Sequence, residues 1–160
     1  LGSDVPLFLS GGAAVISGRG EQVQSVTTQW NNRVLLVAWP DLGISTAQAY
    51  ELLERDDFTD GEITAAAQHA LAEGRLNAER HLFNCFQRAV CSRWPQIAEL
   101  QEDMTQISRT PAALSGSGSA VFCVLADLAE AKQTADAVSQ AGYEAVAVRP
   151  VEYGARLVES

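Results

Sequence analysis

The order of apolar runs and helix starts after residue 33 constrains this chain most. Arg33 to Trp39 reads RVLLVAW, an apolar run of strand length closed by Pro40-Asp41-Leu42-Gly43. A second run, Ala120 to Leu125, follows a glycine turn, and a third, Tyr143 to Val148, stops before Pro150. Helical segments fill the intervals. Ser45-Thr46-Ala47-Gln48 and Thr59-Asp60-Gly61-Glu62 have the spacing of capping boxes. In such a box a hydroxyl satisfies an unpaired amide of the first turn, and the side chain three residues on reaches back. They predict helices from about Thr46 into Leu53 and from the second box through Ala72, with Gly74 where a helix commonly ends. Helical spacing resumes at Leu82, Phe86, Ala89 and Val90, and Pro95 suits the first turn of a further helix through Leu100. Asp127-Leu128-Ala129-Glu130 is a third box, and its helix should end at Gly142. The order β, α, α, α, α, β, α, β, with a further short strand near Ala113, predicts an α+β domain. Its natural architecture is two layers, helices on one face of an antiparallel sheet.

Residues before 33 read differently. Leu7-Phe8-Leu9 and Ala13-Ala14-Val15-Ile16 are short apolar runs separated by Ser10-Gly11-Gly12 and followed by Ser17-Gly18-Arg19-Gly20. Glycine punctuation of this kind predicts strands joined by tight turns, with Val23 to Thr28 pairing back. The unit boundary is expected between Glu21 and Arg33, giving residues 1–30 and 31–160.

The 160 residues are 47% apolar, which suffices for a core without disulfides or metals. A net charge of −9 without any basic stripe argues against nucleic acid and against an anionic membrane surface as partners. No apolar run approaches the ~20 residues of a membrane span, and no signal peptide is expected at the start. Cys85, Cys91 and Cys123 form an odd set without a C-x-x-C pair. They read as reduced core thiols of a cytoplasmic protein rather than as disulfides or zinc ligands. Met104 is the only methionine, and the chain opens directly on the dense motif Leu1-Gly2-Ser3-Asp4-Val5-Pro6, so a preceding portion is expected.

Three places can carry chemistry. Asp4 lies in a turn that Gly2 and Pro6 shape; it can accept a proton from a substrate hydroxyl, or simply bond its own backbone. Ser115-Gly116-Ser117-Gly118-Ser119 precedes a strand and exposes amides and hydroxyls. Such a nest can hold an anion without a lysine, or be a plain turn. It is not a P-loop, because no Gly-Lys-Ser/Thr follows. Tyr50, about one turn into its helix, can stack on a base or pack in the core. His69 and His81 have no ligand-spaced partner and read as structural or solvent-facing; Trp30, Trp39 and Trp94 read as core or interface residues. The single lysine, Lys132, lies in the last helix, so the chain offers few cations for phosphoryl transfer.

Taken together, the motifs resemble one family of GHMP-type small-molecule kinases, those acting on diphosphocytidyl-methylerythritol. Gly2-Ser3-Asp4-Val5-Pro6 is similar to their G-[AS]-D-V-P segment, and Gly18-Arg19-Gly20-Glu21 to the G-x-G-E that follows. Arg93-Trp94-Pro95-Gln96-Ile97-Ala98-Glu99-Leu100 resembles their R-[YW]-P-x-I-x-x-L helix start, and Ser115 to Phe122 their [ST]-G-[ST]-G-x-x-V-F motif. The resemblance runs from Leu1 to about Arg156. It departs at Asn84-Cys85-Phe86-Gln87, where the family often has N-D-L-E, and no role is assigned there.

The resemblance implies a ferredoxin-like C-terminal domain preceded by the last strands of an N-terminal domain. It implies transfer of a phosphoryl group from ATP, with magnesium, to the 2-hydroxyl of the substrate. Asp4 takes the place of the catalytic aspartate, and a lysine of the N-terminal domain pairs with it in the family. Thr46 and Tyr50 fall on substrate contacts, the aromatic stacking on cytosine. Gly116, Ser117, Gly118 and Ser119 border the diphosphate. The ATP loop is expected upstream of Asp4, with no metal ligand in this chain, so the chain by itself is expected to be inactive. A homoserine or mevalonate type of GHMP kinase, or a non-catalytic small-molecule-binding module, are the rival readings. Strand edges without pairing partners make a homodimer a further expectation.

Overall fold

A computed structural model of the chain describes residue 2, residues 4–29 and residues 33–155. Trp30 and the expected unit boundary at 30/31 lie outside the described residues. The chain opens with α1 (Val5–Ser10), β1 (Ala13–Ser17) and β2 (Gln22–Val26). The two strands form an antiparallel hairpin in register Ala13 with Val26 and Ser17 with Gln22. The strand expected at Leu7–Leu9 is a helix instead. Pro6 sits in its first turn, where a fixed φ suits a helix and a missing N–H costs nothing. The Gly11 N–H closes it on the Leu7 carbonyl at 2.8 Å.

The second sheet has four strands in the order β4-β5-β3-β6. They are β3 (Val34–Trp39), β4 (Ala113–Leu114), β5 (Val121–Leu125) and β6 (Glu144–Val148). All neighbours are antiparallel. This is the ferredoxin-like split β-α-β arrangement, and it agrees with the expected α+β sandwich. β3 lies inside the sheet because its alternate residues serve two faces. Val34, Leu36 and Ala38 are fully buried, while Leu35 and Val37 are half-buried. On the buried face Leu36 stands opposite Cys123 and Ala38 opposite Val121.

Between β3 and β4 run α2 (Thr46–Glu51), a 3₁₀ turn (Arg55–Asp57), α3 (Glu62–Ala72), α4 (Ala78–His81), α5 (Gln87–Arg93) and α6 (Pro95–Ser108); α7 (Leu128–Gln140) joins β5 to β6. Two long helices cover the buried face. α6 buries Ile97, Leu100, Met104 and Ser108, and α7 buries Ala131, Thr134 and Val138. Both sets recur at three- and four-residue spacing, the stripe that one side of a helix presents. Full burial of Leu100 or Ile97 contributes about 1.5–3 kcal/mol each, and truncating either to alanine costs about 2–5 kcal/mol with its cavity.

The helix ends follow local chemistry. Pro95 occupies the first turn of α6, as its sequence predicts. Asp127 caps α7, accepting from the amides of Ala129 at 2.8 Å and Glu130 at 2.9 Å. After α3, Gly74 adopts a φ of +67°. Its N–H bonds to Leu71 O at 3.2 Å and that of Arg75 to Ala70 O at 2.8 Å. That pair is a Schellman motif, and the left-handed residue within it is where glycine has no Cβ penalty. The second capping box is displaced. Gly61 is the N-cap of α3, and Asp60 rather than Thr59 accepts from the Glu62 amide, at 3.1 Å. The helical spacing at Leu82–Val90 is interrupted between α4 and α5, where Asn84 turns its side chain to other backbone.

Cys123 is buried and Cys85 and Cys91 are partly buried against the core, all as free thiols. Burial pushes the Cys123 thiol up to about 11. Trp94 packs against the core and Trp39 is exposed at the end of β3. No helix among the described residues is long and apolar enough to cross a membrane.

Candidate functional site

Ile44 and Ser45 lead from β3 into α2 in extended conformation at Ser45, whose side chain makes no cap hydrogen bond. The expected capping box is therefore not formed here. The next hydroxyl, Thr46 Oγ1, bonds instead to Ser117 Oγ at 3.0 Å. This contact brings the start of α2 against the glycine–serine loop.

The loop is a tight reversal between β4 and β5. Ser115 N donates to Ala120 O at 2.8 Å, and Gly118 N donates to Ser115 O at 3.0 Å. Gly118 has a φ of +82°, and a Cβ there would lie 3.2 Å from Leu114 Cδ1 and 3.4 Å from Ile44 Cδ1. The dihedral favours glycine, and the packing would have to give slightly to admit a Cβ. The amides of Gly116, Ser117 and Ser119 enter no backbone hydrogen bond among the described residues. They remain available to an anion, while the Ser117 hydroxyl is engaged with Thr46.

Tyr50 lies one turn beyond Thr46, and residues four apart share a helix face. Tyr50 is 61% exposed, but its ring is not loose. It meets the buried Phe86 ring edge to face, with centroids 5.0 Å apart and planes at 86°. Such pairs add about 0.5–1.5 kcal/mol to burial and fix ring orientation.

Asn84 connects these parts. Its Nδ2 donates to Leu114 O at 2.9 Å and to Gly116 O at 2.8 Å. Its Oδ1 accepts from Phe86 N at 2.9 Å. Sequence reasoning assigned no role to Asn84 or Phe86. The available signal was that Asn84 is the one residue of Asn84-Cys85-Phe86-Gln87 that keeps the related N-D-L-E pattern. Behind this segment, Gln87 Nε2 donates to Gln101 Oε1, and Gln101 Nε2 donates to Ala112 O at 2.8 Å. Asp57, buried, receives Arg88 Nε at 2.7 Å and Nη2 at 2.6 Å. These bonds, then the Glu54 N–H, hold its carboxyl below the usual carboxylate range. The pair ties the 3₁₀ turn to α5.

The structure thus gathers Thr46, Tyr50, Gly116, Ser117, Gly118 and Ser119. It does not bring Asp4 to them by any hydrogen bond or ion pair among the described residues. Asp4 is the exposed N-cap of α1, with no side-chain cap bond, and its carbonyl accepts from Phe8 N at 3.3 Å. His69 is exposed 3.4 Å from Glu73, and His81 Nδ1 accepts from Asn77 N; the first faces solvent and the second bonds local backbone. Among the described residues no three His, Cys, Asp or Glu side chains are grouped to hold a metal ion.

An antiparallel sandwich with a glycine–serine loop between two of its strands is compatible with many functions, and comparison with known proteins supplies the family. The family model described as GHMP kinases C terminal matches residues 63–144, about half of the chain. The chain belongs to the GHMP kinases, in their C-terminal domain.

Among curated relatives, the 4-diphosphocytidyl-2-C-methyl-D-erythritol kinase of Dehalococcoides mccartyi is 32% identical over 152 residues, which is 92% of this chain and 52% of that protein. The enzyme of the same name from Gloeobacter violaceus is 33% identical over 137 residues, 82% of this chain and 45% of that protein. A crystal structure of 4-(cytidine 5'-diphospho)-2C-methyl-D-erythritol kinase superposes with a TM-score of 0.76 at 27% identity, over 92% of this chain and 53% of that one. A homoserine kinase from Cytophaga hutchinsonii has a TM-score of 0.71 at 15% identity, over 92% of this chain and 51% of that one, a likeness of fold alone. The chain spans about half the length of the curated relatives it matches.

Proposed function

We propose that this chain is the C-terminal part of an ATP-dependent kinase that phosphorylates the 2-hydroxyl of 4-diphosphocytidyl-2-C-methyl-D-erythritol, in isoprenoid synthesis. The observation that carries the reading is the Thr46–Ser117 bond. It holds the glycine–serine loop against the start of the helix that carries Tyr50, which supports reading the two as one face, a stacking ring beside an anion nest. A substrate with a base at one end of a diphosphate matches that pairing, and the named relatives act as kinases on such a molecule.

In this reading Tyr50 stacks on cytosine, Thr46 contacts the substrate, and Gly116 to Ser119 hold the diphosphate. Asp4 accepts or orients the hydroxyl proton as general base. Residues 1–30 close the sheet of an N-terminal domain and residues 31–160 form the C-terminal one. ATP supplies the phosphoryl group and magnesium offsets its charge when bound. In this reading the ATP-binding loop lies upstream of Asp4, in the part of the relatives that this chain does not span. The protein works in the cytoplasm, and a homodimer is the assembly we would look for.

The test is ATP-dependent phosphate transfer by the complete protein and by residues 1–160 alone, with the cytidine substrate, homoserine and mevalonate offered in parallel. The complete protein should turn over only the first, and Asp4→Asn should slow it by about 10²–10⁴. The isolated chain should turn over none. Preference for homoserine or mevalonate, or turnover by residues 1–160, would sink the reading. Saturable binding without any turnover by the complete protein would favour a binding module.

A further inference from the structure

We infer that Asn84 is a positioning residue that fixes the distance between the anion-binding loop and Tyr50, and so sets selectivity for a ligand with an aromatic base joined to an anionic chain. The inference rests on the reading of that face given above. Asn84 belongs to no helix or strand; it sits in the gap between α4 and α5. Its side chain nevertheless makes three hydrogen bonds of 2.8–2.9 Å, all to backbone. Two go to Leu114 O and Gly116 O, the carbonyls on either side of Ser115. Fixing both fixes the path of the chain into the nest. The third receives the amide of Phe86, whose ring stands edge-on to Tyr50.

One amide group therefore spans from the loop to the support of the aromatic. The geometry needs this functional group. Two donors on one nitrogen and an acceptor beside it are what an amide supplies. Aspartate has the same shape and keeps the acceptor for Phe86 N, but it turns a carboxylate oxygen toward two carbonyl oxygens. Glutamine is a methylene longer. Serine keeps an acceptor near Phe86 N and reaches neither carbonyl.

The experiment compares wild type, Asn84→Asp and Asn84→Ser in the complete protein, each alone and with Tyr50→Leu. Steady-state kinetics are run with the cytidine substrate, and thermal melting checks the fold of each variant. Asn84→Asp should raise KM about tenfold or more while kcat changes less. Tyr50→Leu should raise KM strongly in wild type and much less in the Asn84 variants, because a ring already out of register has less to lose. Asn84→Ser should show the same pattern more weakly and serves if Asn84→Asp does not fold. Unchanged KM in a folded Asn84 variant, or strictly additive effects with Tyr50→Leu, overturns the positioning role and leaves the proposed function standing. If wild type neither turns over nor saturably binds the cytidine substrate, the proposed function fails and the positioning role falls with it.

Discussion

Thr46 and Ser117, 71 positions apart in sequence, share a hydrogen bond of 3.0 Å between their hydroxyl oxygens. It links α2 directly to the glycine–serine loop. The pair is exposed, so its net worth to folding is small, about 0.5–1.5 kcal/mol at most. Its larger effect should be on the loop. Thr46→Val and Ser117→Ala should each raise KM for the cytidine substrate several-fold while thermal stability changes little. The double variant should be no worse than the stronger single one. Fully additive KM effects would show that the two hydroxyls act separately.

Gly118 and Gly116 should respond differently to alanine. Both have positive φ, which costs an L-residue roughly 1–2 kcal/mol. A Cβ at Gly116 meets open space, whereas one at Gly118 is crowded by Leu114 and Ile44. Urea unfolding should therefore place Gly118→Ala below Gly116→Ala in stability, by about 1 kcal/mol or more. Equal midpoints would mean that the loop yields to the added methyl.

Asp57 should contribute to acid sensitivity. Hydrogen bonds from Arg88, and then from the Glu54 amide, lower its folded-state pKa. A carboxyl depressed in this way adds stability above its unfolded value of about 3.9 and loses it as pH falls through the folded value. Asp57→Asn should lower the urea midpoint at neutral pH, and the gap to wild type should narrow below about pH 4. A gap independent of pH would assign the loss to packing.

Tyr143 should govern part of the alkaline limb. Burial, and then the bond its hydroxyl donates to Asp103 at 2.8 Å, push its phenol up to about 12. The unfolded phenol ionises near 10. Stability held by the neutral group is thus complete below about pH 10 and lost as pH rises toward the folded value. Tyr143→Phe should unfold with a shallower alkaline slope. Identical slopes would mean that Tyr143 does not control this limb.

Much of the sandwich was legible because its signals are local. RVLLVAW declares a strand, Pro95 and Asp127 mark helix starts, and Gly74 marks an end. Where the reading slipped, local signals competed. Leu7-Phe8-Leu9 is apolar enough for a strand, but Pro6 set the first turn of a helix. Ser45 and Gln48 have capping-box spacing, yet it is the Thr46 hydroxyl that finds a partner, on the loop between β4 and β5. Of the candidate site, the loop, Thr46 and Tyr50 were named through the family resemblance, and the structure joins Thr46 to the loop. Asn84 was not, because its partners are carbonyls 30 and 32 residues away, and no residue type or spacing reports a distant backbone oxygen.

The sheet order also dictates when this domain can exist during synthesis. The first strand of the four-stranded sheet to leave the ribosome, β3, finds its neighbours only in β5 and β6, with Leu35 opposite Val148. Helices α2 to α6 emerge in between and can form turn by turn, but their apolar stripes have no sheet to cover until those late strands arrive. Long-range antiparallel pairing of this kind is slow and leaves open edges while it waits. Between the completion of β3 at Trp39 and the arrival of β5 and β6, the edges of β3 therefore stay bare, and that interval is when the growing chain is most open to pairing with the wrong strand.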